Sequence, residues 1–141
     1  MFVTRATRHD RAEIQALYEE HGWGDHQEAG KATAFIARDG GVVGTLKVVE
    51  VEPNALVIDG VLVKEGRRGR GIGRRLMQAA MNSRGGTMYL CCHENRIRFY
   101  GHFGFSEIPV GEAPESVREY WRAVGAWPTE PGHEHFFLKA R

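Results

Sequence analysis

The sequence predicts a mixed α/β domain, with a central, mostly antiparallel sheet of six to seven strands flanked by helices. Three observations predict it. Short apolar runs recur between residues 32 and 63, divided by the turn signals Asp39-Gly40-Gly41 and Glu52-Pro53-Asn54, which is the pattern of a three-strand meander. Apolar residues at helical spacing precede the meander at Ile14, Leu17 and Tyr18 and follow it at Ile72, Leu76, Ala79 and Ala80. Beyond Gly85-Gly86 the signals alternate as strand, helix, strand, helix, strand.

Taken in order, Phe2 to Arg5 reads as a short strand. Thr7-Arg8-His9-Asp10 fits a capping box, with an acidic residue three positions after a threonine, and opens an amphipathic helix over residues 8–21. The stretch His21-Gly22-Trp23-Gly24-Asp25-His26 breaks that helix and leaves room for a second short one. Strands follow over 32–38, 42–51 and 55–63. The third is apolar on both faces, through Leu56-Val57-Ile58 and Val61-Leu62-Val63, as suits a central strand covered on both sides. Residues 66–71 are a glycine- and arginine-rich loop. The next helix turns Ile72, Leu76, Ala79 and Ala80 to one face and Arg75, Gln78 and Asn82 to the other, and Gly85-Gly86 ends it. Thr87 to Cys92 is a strand. Residues 94–103 are helical, Gly104 stops them, and 105–108 is a strand. A loop leads to a helix over 116–124, and residues 135–139 close the chain as a last strand.

Composition narrows the function. The 141 residues suit one ordinary domain, 1–141, and 42% hydrophobic with 26% charged residues is a globular balance. No apolar run reaches the roughly 20 residues of a membrane helix, and the N-terminus opens no signal-peptide core. A cytoplasmic protein without a membrane partner is expected. Net charge is only +1, which argues against a general polyanion binder, yet Arg67, Arg68, Arg70, Arg74 and Arg75 fall within nine residues. A local basic knot in a near-neutral chain points to one small anionic ligand. Cys91 and Cys92 are adjacent, so on a strand they face opposite ways and suit neither a shared metal nor an ordinary disulfide. His133-Glu134-His135 lacks a third ligand at metal spacing and reads as a surface turn, so no metal site is expected.

The strongest chemical feature is the passage from Val63 into the following helix. Gly69, Gly71 and Gly73 let the backbone approach an anion without obstruction. The first helical turn offers unpaired N–H groups and the positive end of the dipole, which together make a pyrophosphate site, and Arg68 or Arg70 can add a charged contact. Gly66 to Gly71 has Walker spacing, but Ile72 stands where Lys is required. The dinucleotide pattern begun at Gly69 would need Gly at 74, where the chain has Arg, and it follows a meander instead of opening the fold. On spacing alone, glycines that merely tighten a strand-to-helix connection and arginines that merely solubilise it remain the alternative.

Val63-Lys64-Glu65-Gly66-Arg67-Arg68-Gly69-Arg70-Gly71-Ile72-Gly73 resembles the coenzyme A signature of the GNAT superfamily of N-acyltransferases, (Arg or Gln)-x-x-Gly-x-(Gly or Ala), here Arg68, Gly71 and Gly73. Downstream, Phe99-Tyr100-Gly101-His102-Phe103-Gly104-Phe105 resembles the family's Phe-Tyr-x-x-x-Gly-Phe. The motifs cover roughly residues 55–108, and the order of elements extends the likeness over nearly the whole chain.

The resemblance implies a sheet splayed between its fourth and fifth strands and acetyl-coenzyme A as co-substrate. It implies that backbone groups of Val61, Leu62 and Val63 pair with the pantetheine arm. One N–H, at or near Val63, would polarise the thioester carbonyl. Arg68, Gly69, Arg70, Gly71, Ile72 and Gly73 would hold the pyrophosphate. Tyr100 falls where the family often keeps the general acid that protonates the departing thiolate. Asp59 shares a strand face with Val61 and Val63, and an acid in an apolar strand needs a partner. It is a candidate base or amine anchor, or it pairs with an arginine. The family's usual Asn seven residues before the tyrosine is replaced by His93, which becomes a rival base, and Asn95 is kept as a coenzyme A contact.

His21, Trp23 and His26 occupy a region where the family shapes its acceptor site. Tyr120, Trp121 and Trp127 lie in a long insertion between the last two strands. They line an acceptor pocket, form a homodimer interface, or simply pack the core. The function implied is acetyl transfer to a primary amine of a small molecule or protein. Two other readings stand beside it: a nucleic-acid-binding module on the arginine cluster, and a non-catalytic acyl-coenzyme A sensor of the same fold. Against the former, no aromatics are interleaved with the arginines, so no nucleic-acid partner is expected.

Overall fold

The computed structural model describes residues 1–23, 31–129, 131–132 and 134–140. Strand β1 (Phe2–Arg5) pairs antiparallel with β2 (Lys31–Arg38), Phe2 opposite Arg38 and Arg5 opposite Phe35. The capping box forms as the sequence anticipates: the Thr7 hydroxyl accepts from the His9 N–H at 3.2 Å, and the Thr7 N–H donates to the Asp10 carboxylate at 2.8 Å. Asp10 N–H also reaches the Thr7 carbonyl, so Arg8–Asp10 form a 3-10 turn and the helix proper, α1, runs Arg11–Glu20. The expected helix over 8–21 therefore begins one tight turn late. His26 and the room for a second helix lie outside the described residues.

β3 (Val42–Glu52) and β4 (Ala55–Val63) follow through the two expected turns; Asp39 N–H donates to the Gly41 carbonyl at 2.9 Å in the first, and Asn54 sits at φ 66° in the second. Beyond them come α2 (Ile72–Ser83), β5 (Thr87–Cys92), α3 (Ile97–Gly101), β6 (Ser106–Ile108), α4 (Glu115–Ala123) and β7 (Phe136–Ala140). The strand order is β1-β2-β3-β4-β5-β7-β6. β5–β7 and β6–β7 are antiparallel and β4–β5 is parallel, so the predicted mixed sheet of six to seven strands has seven. No helix among the described residues is long and apolar enough to cross a membrane.

Contacts divide the chain into two compact units. The first holds β1, α1, residues 32–38 of β2, residues 42–48 of β3, residues 60–63 of β4, and α2. Its core joins Leu17 and Tyr18 of α1 to Ile36, Val42 and Leu62, bordered by Ala6 and Ile14. Thr45 and Lys47 of β3 are buried, and the Thr45 hydroxyl donates to the Phe35 carbonyl at 2.9 Å. α2 buries Ile72, Leu76, Met77 and Ala80. It can lie close to β3 because residue 44 is glycine: a Cβ there would fall 2.9 Å from Ile72 Cγ2 and 3.1 Å from Leu76 Cδ1.

The second unit holds residues 49–52 of β3, residues 55–59 of β4, and β5, α3, β6, α4 and β7. Gly86, at φ 119°, lies against the Asn54 backbone, and Thr87 N–H donates to the Asn54 carbonyl at 2.9 Å. That contact starts the parallel register Ala55–Thr87, Leu56–Met88 and Val57–Tyr89. The register ends there, although β4 runs on to Val63 and β5 to Cys92. The implied splay between the fourth and fifth strands corresponds to this early end. Val117, Tyr120 and Trp121 form the buried face of α4, with Trp121 packed on Phe137 at 4.6 Å between ring centres.

Two outcomes follow from this packing. Gly44→Ala forces Ile72 and Leu76 to give way and should cost about 1–3 kcal/mol, read as a lower urea midpoint with an unchanged slope. The second concerns acid. Asp10 is held below the ordinary carboxyl range by the Thr7 N–H and then by Arg38, and Glu13 by the Val42 N–H and then by Arg38. Groups with depressed folded pKa stabilise the fold above their unfolded value and lose that contribution as pH falls through the folded one. Stability should decline below roughly pH 4, and Asp10→Asn with Glu13→Gln should flatten the decline. Equal slopes in both proteins would mean that the cluster contributes nothing.

Candidate functional site

In the first unit the strand-to-helix passage is built from left-handed glycines. Gly66, Gly69 and Gly71 have φ of 89°, 79° and 77°. Gly71 is the N-cap of α2, and the first bond of the helix runs from Arg75 N–H to the Gly71 carbonyl at 3.1 Å. The N–H groups of Ile72, Gly73 and Arg74 thus have no carbonyl four residues back within the helix. A Cβ at Gly69 or Gly71 would meet no atom within 4 Å, so the backbone there faces open space. Ile72 is buried and anchors the helix start, while Gly73 is half-buried. An open helix N-terminus of this kind is able to accept an anion.

The five arginines divide into two groups. Arg67 pairs with Asp39 at 2.7 Å. Arg68 turns back on its own chain: Nε donates to the Val63 carbonyl at 3.1 Å and Nη2 lies 3.5 Å from His21 Nδ1. Arg75 donates to the Met1 carbonyl at 3.4 Å. Arg70 and Arg74 are exposed and make no ion pair among the described residues. The Arg68 guanidinium is thus engaged on the strand end and the histidine, which leaves Arg70 as the more open cation of the turn. His21 also meets Trp23 edge-on at 4.6 Å.

β4 changes character half-way along. Ala55 to Ile58 are all buried, after which Asp59, Val61 and Val63 are half-buried while Gly60 and Leu62 are buried. The expectation of a strand covered on both faces holds for its first half only. At the change stands Gly60, at φ 64°, inside the strand; the Tyr18 hydroxyl donates to its carbonyl at 3.3 Å. A left-handed residue within a strand interrupts ladder geometry and is glycine's position.

In the second unit, Tyr100 of α3 is buried, with its ring edge-on to Phe99 at 5.0 Å and to Phe105 at 6.2 Å. Gly104, at φ 88°, returns the chain so that Phe105 N–H reaches the Tyr100 carbonyl. The phenol pKa is raised well above its ordinary value, first by burial and further by Cys92, Cys91 and Asp59; Arg96 acts the opposite way. The hydroxyl is therefore protonated throughout the physiological range. Cys91 and Cys92 are free thiols, both raised chiefly by burial, Cys92 to about 11, and Asp59 is a further cause at Cys91. Such thiols are poor nucleophiles.

Asp59 has a phenol as a partner. The Tyr120 hydroxyl of α4 donates to Asp59 Oδ2 at 2.5 Å. Sequence reasoning required a partner for this acid but had no means of pairing residues 59 and 120. His93 is exposed, stacks on His135 at 4.7 Å and has Nδ1 3.2 Å from the Glu134 carbonyl. A carbonyl only accepts, so Nδ1 donates and Nε2 is the basic nitrogen of the neutral ring. Asn95 is exposed beside it, and both line a concavity of about 460 Å³ with Glu94, Gly132, Glu134 and Phe136. His133 lies outside the described residues, and no group of three or more His, Cys, Asp or Glu able to hold a metal occurs among the described ones. Of the insertion aromatics, Tyr120 and Trp121 are buried, so neither offers an exposed dimer surface; Trp127 is half-buried under Arg122, whose guanidinium lies 4.4 Å from the ring centre.

Comparison with known proteins agrees with this construction. A family model described as "Acetyltransferase (GNAT) domain" matches residues 30–107, more than half of the chain. No curated protein matches by sequence. Among solved structures, an acyl-CoA N-acyltransferase from Pseudomonas aeruginosa is similar at TM-score 0.72 and 17% identity, covering 100% of both chains. A Mycobacterium tuberculosis protein in complex with CoA and NLQ gives TM-score 0.72 at 20% identity, over 99% of this chain and 98% of that one. A GNAT-family acetyltransferase from Staphylococcus aureus gives 0.70 at 16% identity, over 98% and 96%. At these identities the structural likeness establishes the fold.

Proposed function

The chain belongs to the GNAT acetyltransferase family, and from that premise we propose that it transfers an acetyl group from acetyl-coenzyme A to a primary amine of a small molecule or protein. Family and fold support acyl transfer in general, and one observation carries the choice of donor. A glycine-capped helix N-terminus, open to solvent over Gly69 and Gly71, follows directly on the end of β4. Its N–H groups suit a pyrophosphate, and the similar M. tuberculosis structure contains CoA.

In this reading Arg70 and the N–H groups of Gly71, Ile72 and Gly73 take the pyrophosphate, with Gly69 giving it room. Arg68 holds the end of β4 through Val63. Backbone groups of Val61, Leu62 and Val63 run beside the pantetheine arm, and Asn95 is a further contact. The amine arrives as an ammonium and passes a proton to Asp59, with His93 the rival acceptor of that proton. Its lone pair then attacks the thioester carbon, and a β4 N–H at or near Val63 stabilises the oxyanion. As the C–S bond breaks, Tyr100 gives its proton to the thiolate and recovers one from the nitrogen, through water. Tyr100 carries its proton throughout the physiological range, as a general acid must.

Acetyl-coenzyme A at tens of micromolar should raise the melting temperature; no shift would remove the donor. With an accepted amine, Tyr100→Phe should lower kcat about 100-fold while the KM for acetyl-coenzyme A stays nearly constant, read by free thiol release. Unchanged turnover would strip Tyr100 of the acid role. Thermal stabilisation by acetyl-coenzyme A without thiol release from any amine would instead favour a sensor.

A further inference from the structure

We infer that Tyr120, delivered by the insertion helix α4, is the positioning residue for Asp59 and makes the segment between β6 and β7 part of the acceptor site, selecting a cationic primary amine. The inference rests on the acetyl-transfer reading above. It begins with the contact itself. An O–H···O separation of 2.5 Å is that of a phenol donating to an ionised carboxylate. The contact fixes the Asp59 carboxylate in orientation.

The helix that delivers the hydroxyl is rigidly held. Tyr120 is 3% exposed and its neighbours on the same face, Val117 and Trp121, are 0% and 1% exposed. On the outer face Glu115 accepts from Arg118 at 2.6 Å and from Arg122 at 3.1 Å, which ties the helix across two turns. A buried tyrosine at this position needs a partner for its hydroxyl, and Asp59 meets that need. Asp59 as a whole is half-buried, in contrast to the fully buried Ala55 to Ile58 before it. Its field is felt at Tyr100 and at Cys91, so Tyr120, Asp59, Cys91 and Tyr100 form one electrostatic neighbourhood within the second unit.

Chemistry then identifies the acceptor. The pair carries one negative charge on a group that accepts hydrogen bonds, so it recognises a donor-rich cation, and a primary ammonium is the form in which an amine substrate arrives. Tyr120 touches neither the reacting nitrogen nor the thioester. It acts by holding the carboxylate where the ammonium must bind and lose its proton.

The test compares the unsubstituted protein with Tyr120→Phe, Asp59→Asn and the double variant. Each is assayed by thiol release from acetyl-coenzyme A with spermidine, kanamycin, lysine methyl ester and a lysine-containing peptide. Tyr120→Phe keeps the ring that packs α4 and removes only the hydroxyl. It should lower kcat/KM for the best amine about 10- to 100-fold while leaving the KM for acetyl-coenzyme A and the melting temperature nearly unchanged. The double variant should be no worse than Asp59→Asn alone, because the two residues act as a unit. Tyr120→Phe with unsubstituted kinetics, losses that multiply in the double variant, or an equal rise in the KM for acetyl-coenzyme A would each overturn the inference and leave acetyl transfer standing. No thiol release from the unsubstituted protein with any of the four amines would overturn acetyl transfer to amines, and the inference with it.

Discussion

A left-handed glycine inside β4 is the constraint on which the site depends. Gly60, at φ 64°, stands where β4 passes from the fully buried Ala55 to Ile58 to a stretch, beginning at Asp59, whose alternate residues are half-buried. Any other L-residue would carry roughly 1–2 kcal/mol of strain in that conformation. The Tyr18 hydroxyl helps to hold it by donating to the Gly60 carbonyl, so the first helix has a part in shaping the strand. Asp59 stands on one side of this glycine and Val61 to Val63 on the other. The residues proposed to handle the amine and those proposed to run beside the pantetheine arm are thus consecutive on one strand.

The register of β4 with β5 is fixed at the opposite end. A Cβ at Gly86 would sit tightly, 3.3 Å from the Asn54 backbone, and Thr87 N–H donates to the Asn54 carbonyl. Three residue pairs follow, and both strands then continue without further pairing to each other. Parallel ladders are slightly less stable per residue than antiparallel ones, and this one is short. Gly86, at a backbone conformation that other residues rarely adopt, stands at its start.

Much of this was legible in the sequence because it was local. The meander is marked by Asp39-Gly40-Gly41 and Glu52-Pro53-Asn54, the capping box by Thr7 and Asp10, and the helix after the phosphate turn by Ile72, Leu76 and Ala80. Each signal needs only neighbouring residues to be read. Of the candidate site, the sequence singled out Gly69 and Gly71 as places of free backbone approach, and both have positive φ. Side-chain partners separated in sequence were not. Nothing near Asp59 pointed to Tyr120, 61 residues away. Nothing near Arg68 showed that it would turn inward to Val63 and His21. Gly60 had a local signal, a glycine within an apolar strand, but the doubly apolar run around it concealed the change in burial.

The arginines of the proposed phosphate turn differ in what the binding of an anion would require of them. Arg67, Arg68 and Arg75 are each tied to another part of the chain, to Asp39, Val63 and Met1. A long side chain that is already ordered has little rotamer freedom left to lose when a ligand arrives. In the proposed pyrophosphate site these three arginines are thus ordered beforehand, and the ordering that binding still requires falls on Arg70, which is exposed and makes no ion pair among the described residues.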